Sequence, residues 1–159
     1  GFDFSMFWQG VAKRDLWLTG NMFWGLNGGE WQSTGFKEHL DYYRPENTTS
    51  VFGPNTNAYF PRIYMNSDKN QYTQTRYLQN GAYARLKNIQ LGYTLPKFLT
   101  NRIGLQKVYL YVSAENLLTI SSLPDSFDPE TAYSNYSGAN TGKAYPLQKT
   151  VSFGLNVSF

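Results

Sequence analysis

The sequence predicts an all-β chain, a fragment of an antiparallel transmembrane β-barrel, and three observations carry that prediction. The first is the closing segment, Lys149-Thr-Val-Ser-Phe-Gly-Leu-Asn-Val-Ser-Phe159. Val151, Phe153, Leu155, Val157 and Phe159 fall on one face of an extended strand, and Thr150, Ser152, Gly154, Asn156 and Ser158 on the other. Its length matches the about 9–11 residues with which a tilted strand crosses a bilayer. A soluble sandwich also alternates, but it seldom stops abruptly on its final core residue. The second observation is composition: 18% of residues are aromatic and only 16% charged, against roughly 25% charged in ordinary soluble domains. The third is a mean hydropathy of −0.49, with no stretch approaching the ~20 apolar residues of a membrane-spanning helix. A barrel reconciles the last two, because only every second strand residue meets lipid and polar loops lie outside.

Four segments alternate well enough to be strands, at about residues 1–10, 82–95, 107–119 and 149–159. In the first, Phe2, Phe4, Met6 and Trp8 oppose Asp3, Ser5, Phe7 and Gln9. In the third, Val108, Leu110, Val112 and Ala114 oppose Tyr109, Tyr111, Ser113 and Glu115. Glu115 should avoid hydrocarbon, so the two tyrosines belong on its interior side. The second strand sets Ile89, Leu91 and Tyr93 against Asn88, Gln90, Gly92 and Thr94, but Arg85 and Lys87 share the parity of Ile89 and are charged. Either a bulge near Lys87–Asn88 resets the faces, or the upper half stands clear of the bilayer. The second option is adopted here. Candidate lumen-facing residues are Asp3, Gln9, Asn88, Gln90, Tyr109, Tyr111, Glu115 and Asn156.

The connections are unequal. Residues 96–106 form a short turn with Pro96, Asn101 and Gly104, whereas residues 11–81 and 120–148 are long loops. Outer-membrane barrels have short periplasmic turns and long extracellular loops, so the chain is expected to end on the periplasmic side. Tyr93, Phe98 and Phe159 then suit the periplasmic interfacial belt, and Trp8 the outer one. Four strands are too few to close a barrel, whose smallest bacterial form has about eight; the chain reads as a piece of something larger. Within the first loop, Phe36, Leu40 and Tyr43 are spaced for one face of a short helix ended by Arg44-Pro45. The loop aromatics Trp17, Trp24, Trp31, Tyr42 and Tyr43 are contact candidates, since Tyr and Trp suit stacking on sugars and anchoring interfaces. Packing of the loop against itself is the competing role.

Other chemistries find little support. There is no cysteine, hence no disulfide or thiolate metal site. A net charge of +3 without a Lys/Arg run longer than Lys13-Arg14 does not suggest nucleic acid. His39 stands without a catalytic arrangement around it. Asp125, Asp128 and Glu130 fit turns around Pro124 and Pro129 better than a calcium site. Gly25, Gly28 and Gly29 lack the lysine and helix of a phosphate loop. No catalytic residue, metal ligand or cofactor is assigned, and no enzyme activity is expected.

Several blocks together carry a family resemblance: Phe2-Asp-Phe-Ser-Met-Phe-Trp-Gln-Gly10 with Arg14-Asp15, Tyr43-Arg-Pro-Glu-Asn47, Tyr59-Phe-Pro-Arg62 and Tyr83-Ala-Arg-Leu-Lys-Asn-Ile-Gln-Leu-Gly-Tyr-Thr-Leu-Pro96. Val112-Ser-Ala-Glu-Asn-Leu-Leu-Thr119, Phe127-Asp-Pro-Glu130, Tyr145-Pro146 and Phe-Gly-Leu-Asn-Val-Ser-Phe159 complete the series. In this order and spacing they resemble the C-terminal end of SusC/RagA-type TonB-linked outer-membrane proteins, nutrient importers of the Bacteroidetes group. Ala84 departs from the bulkier strand residue, often leucine, of that pattern. The resemblance implies a large barrel around an N-terminal plug domain. It also implies a SusD-like lipoprotein lid over glycan or peptide substrates, and TonB acting on the plug. The alternating end on Phe159 resembles the signal read by the barrel-assembly machinery, carried by Val151, Phe153, Leu155, Val157 and Phe159. Two alternatives stand beside this: a soluble β-sandwich carbohydrate-binding module, and the same barrel as a core subunit or client of an outer-membrane assembly or secretion complex.

Overall fold

The computed structural model describes residues 1–28, 35–64, 70–133 and 141–159. Trp31 and Gly29 lie outside them. Two compact units are formed: residues 1–14, 82–122 and 147–159 make one, and residues 15–81 and 123–146 the other.

The first unit is a single antiparallel sheet of β1 (Phe2–Val11), β4 (Tyr83–Thr94), β5 (Lys107–Ser121) and β6 (Thr150–Ser158), in that spatial order. It is open, with β1 and β6 as its two edges. Alternation produces the strands, and the register aligns their faces. Directly opposite residues share a face, so the rows Phe4–Leu91–Val112–Phe153 and Phe2–Tyr93–Leu110–Leu155 are apolar throughout. The rows that alternate with them, Asp3–Gly92–Tyr111–Gly154 and Ser5–Gln90–Ser113–Ser152, make the opposite face. The apolar face is open: Phe153 is 79% exposed and Phe2 78%. A sandwich would bury such a face under a second sheet, and this unit holds one sheet.

The parity break in β4 is a bulge, against the preference for strand residues standing clear of the bilayer. Phe7 pairs with Asn88 but Trp8 with Leu86, so the register steps over Lys87. Across the other edge, Asn88 pairs with Glu115 and Leu86 with Leu118, leaving Asn116 and Leu117 opposite Lys87 alone. Asn116 takes the left-handed conformation, φ 51°, which asparagine tolerates better than most residues. Beyond the bulge Arg85 joins Gln9 and Thr119 in one row. That row belongs to the polar face.

Between β4 and β5 the turn is compact. A helical turn, α2 (Lys97–Thr100), follows Pro96 and leads into a 3-10 turn at Asn101–Ile103. Gly104 closes it at φ 72°.

The second unit gathers both long loops. A two-residue ladder, β2 (Asp15–Leu16) with β3 (Gln79–Asn80), ties the ends of the first loop together, and α1 is a single turn, Asn21–Trp24. Its core is Leu16, Leu18, Phe23, Trp24, Phe60 and Tyr77 from the first loop with Leu123, Phe127 and Ala132 from the second. The expected short helix through Phe36, Leu40 and Tyr43 is one 3-10 turn, Lys37–Leu40. Asp41 stops it, because its carboxylate accepts hydrogen bonds from Asn55 Nδ2 (2.8 Å) and the Tyr59 N–H (3.1 Å). These bonds tie Asp41 to the later segment 55–59 and away from a continued helix. Tyr42 then enters a parallel bridge with Phe60, and Arg44 an antiparallel one with Asn55. Among the described residues no helix is long and apolar enough to cross a membrane, which says nothing about strands.

Candidate functional site

The polar face of the sheet is the first candidate surface. Asp3, Gln9, Asn88, Gln90, Tyr109, Tyr111, Glu115 and Asn156 all lie on it. Three of them are joined: the Tyr109 hydroxyl donates to Asp3 Oδ1 (2.9 Å) and accepts from Gln90 Nε2 (3.0 Å). Asp3 on β1 is thereby linked to Tyr109 on β5 across the intervening strand. Tyr109 and Tyr111 stack with ring centroids 5.7 Å apart and planes 25° apart. Each ring leans over a glycine on the neighbouring strand, Tyr109 over Gly92 and Tyr111 over Gly154. A Cβ at either glycine would collide with the ring above it. Gly154→Ala is therefore expected to displace Tyr111 and cost about 1–3 kcal/mol as overpacking, read as a lower urea midpoint of the refolded parent barrel. An unchanged midpoint would show that the ring moves aside freely.

Arg85 is the residue of this face that parity alone assigns wrongly. It is 3% exposed, and its Nε donates to Thr119 Oγ1 at 2.9 Å. The charged pair Arg85 and Lys87 in an otherwise apolar parity was the available signal, and the bulge is its cause.

On the opposite face, Val151, Phe153, Leu155 and Val157 stand beside Ala114, Val112, Leu110 and Val108. Phe159 follows the last strand residue and is exposed.

The loop unit separates the aromatic contact candidates. Trp24 is 2% exposed, edge-on to Phe23 (5.2 Å) and Tyr77 (4.8 Å). It is a core residue. Trp17 and Tyr42 pack partly buried against the same core, and Tyr43 is exposed. His39 is a strut between two loop segments. Its Nδ1 accepts the Phe36 N–H at 2.9 Å, so Nε2 carries the proton and donates to the Phe23 carbonyl at 3.0 Å. Arg44 is buried and organises the segment around it. Nε donates to the Gly53 carbonyl (2.6 Å) and Nη1 to the Leu40 carbonyl (2.8 Å), and the guanidinium lies 4.6 Å from the centre of the Tyr42 ring. The sequence marked Arg44 only as part of a helix stop and a family block, and not as an organising residue, because its partners are backbone carbonyls. Among the described residues no group of three or more His, Cys, Asp or Glu is placed to hold a metal.

No family model matches the chain. TonB-dependent receptor P3 of Formosa agariphila is 40% identical over 112 residues, covering 66% of this chain and 11% of the receptor. TonB-dependent receptor P26 of the same organism is 30% identical over 166 aligned positions, covering 99% of this chain and 15% of that receptor. The whole chain superposes on the RagAB peptide transporter with a TM-score of 0.67 at 25% identity, over 16% of that chain. The chain belongs to the TonB-dependent receptors, in their SusC/RagA type. As a TonB-dependent receptor it is an outer-membrane chain, and its relatives are receptors and transporters rather than enzymes. The RagAB peptide importer in its open-open state superposes with a TM-score of 0.64, also at 25% identity and over 16% of that chain. The chain thus spans less than a fifth of the length of each of these relatives.

Proposed function

We propose that this chain is the C-terminal part of the barrel of a TonB-dependent importer of large nutrients, peptides or glycans. The two-faced sheet carries the reading: an unbroken apolar face on four strands, backed by a hydrogen-bonded polar face. In the bilayer the apolar face meets lipid, and the row containing Asp3, Tyr111 and Gly154 borders the aqueous interior. The short turn at 96–106 and the C-terminus lie on the periplasmic side, and the long loops 11–81 and 120–148 are extracellular. The edges of β1 and β6 are completed by the remaining strands of the parent, because an open edge cannot stand in hydrocarbon.

In this reading the parent's plug fills the interior, a SusD-like lipoprotein meets the outer loops, and TonB supplies the work of opening. Phe159 and its strand are offered to the barrel-assembly machinery through an exposed edge. Uptake of a labelled oligopeptide mixture by cells carrying the parent receptor tests the proposal. Accumulation is expected to fall to background when the receptor is absent or the proton gradient is collapsed. Import that survives uncoupling would rule out the TonB-linked mechanism.

A further inference from the structure

The loop unit contains a cleft of about 580 Å³ whose role the import reading leaves open. Its deep surfaces are aromatic: Phe23 and Phe60 are buried, and Tyr59 packs partly buried beside them. Its rim is acidic, with Glu38, Asp41 and Asp125 all exposed to solvent. The chain carries a net charge of +3, yet among the described residues no Lys or Arg lines this cleft. Asp41 is held rigidly by Asn55 and the Tyr59 N–H. The side-chain carboxylates of Glu38 and Asp125 hold no hydrogen bond or ion pair among the described residues.

Aromatic depth under an acidic mouth suits one kind of side chain. A long apolar stem covers the rings while a cationic head stays with the carboxylates. The planar guanidinium also stacks on aromatic faces and pairs with carboxylates, which an ammonium does less well. The volume falls in the range of sites built from apolar walls and a few placed polar groups. We propose that this cleft binds an arginine side chain of a peptide substrate, with the stem against the half-buried Tyr59 and the exposed Phe36 that line it and the head between Glu38 and Asp125. The inference rests on the import reading and adds a preference for basic peptides to it.

Titration calorimetry on the full-length receptor in detergent tests the idea, with N-acetyl-Ala-Arg-Ala-amide and its citrulline counterpart as probes. Citrulline keeps the shape and removes the charge. The arginine peptide is expected to bind about tenfold more tightly, as two uncompensated rim charges allow. In the Glu38→Gln/Asp125→Asn variant, two exposed positions whose change leaves the core intact, the preference should shrink to within about twofold. No binding, equal affinity for the two peptides, or a preference that survives the double substitution would each overturn the proposal. Calorimetry needs neither TonB nor a proton gradient, so such failure leaves the import reading standing. Loss of energy dependence in the uptake assay would count against import and not against the cleft.

Discussion

Arginine at Leu155 is expected to destabilise the assembled parent barrel by roughly 2–4 kcal/mol if the position lies near mid-bilayer, whereas arginine at Asn156 is expected to be tolerated. The two positions are neighbours in sequence and opposites in environment. Leu155 stands beside Leu110 on the apolar face and is 58% exposed. Asn156 stands beside Tyr109 on the polar face. Strand propensity, local backbone and distance from the C-terminus are nearly the same at both, so the contrast isolates what lies outside each face. Reversible unfolding of the parent barrel in lipid vesicles gives the measurement. Equal losses at the two positions would show that hydrocarbon does not border the Leu155 face.

Truncating Trp24 to alanine is expected to cost the loop unit about 3–5 kcal/mol, the range for removing a large aromatic from a packed interior. Its ring touches residues from distant parts of the first loop, with Trp17 at 6.1 Å between centroids in addition to Phe23 and Tyr77. The same cluster includes Leu123 and Phe127 from the second loop, so the loss should loosen both. Limited proteolysis of the parent receptor should then cut within residues 15–81 and 123–146 of the variant while the strands stay protected. Unchanged loop protection would mean the cluster is not what orders these segments.

The strands were the most legible part of the chain. Alternation located all four, because a period of two leaves little else to fit, and each runs in the structure within about two residues of where the pattern put it. The faces were legible below the bulge only. At Arg85 and Lys87 the pattern broke, and a parity break reads the same whether a residue has been inserted or the strand has left the membrane. Cross-strand register decides between them, and register is a property of three strands together. The loop core was not legible for a related reason. Leu16, Trp24, Phe60, Tyr77 and Phe127 have no common spacing, and their contacts join residues far apart in sequence. The misplaced helix had the opposite cause: Phe36, Leu40 and Tyr43 do have helical spacing, but the Asp41 carboxylate bonds to residues that the sequence places fourteen and eighteen positions later.

The bulge has a geometric effect beyond turning Arg85. From the Phe7–Asn88–Glu115 row to the Val11–Tyr83–Ser121 row, β1 takes four steps, β4 five and β5 six. Each successive strand therefore brings about 3.4 Å more contour to the same stretch. The surplus is absorbed by local coiling, which is how a flat ribbon is bent into the wall of a closed cylinder.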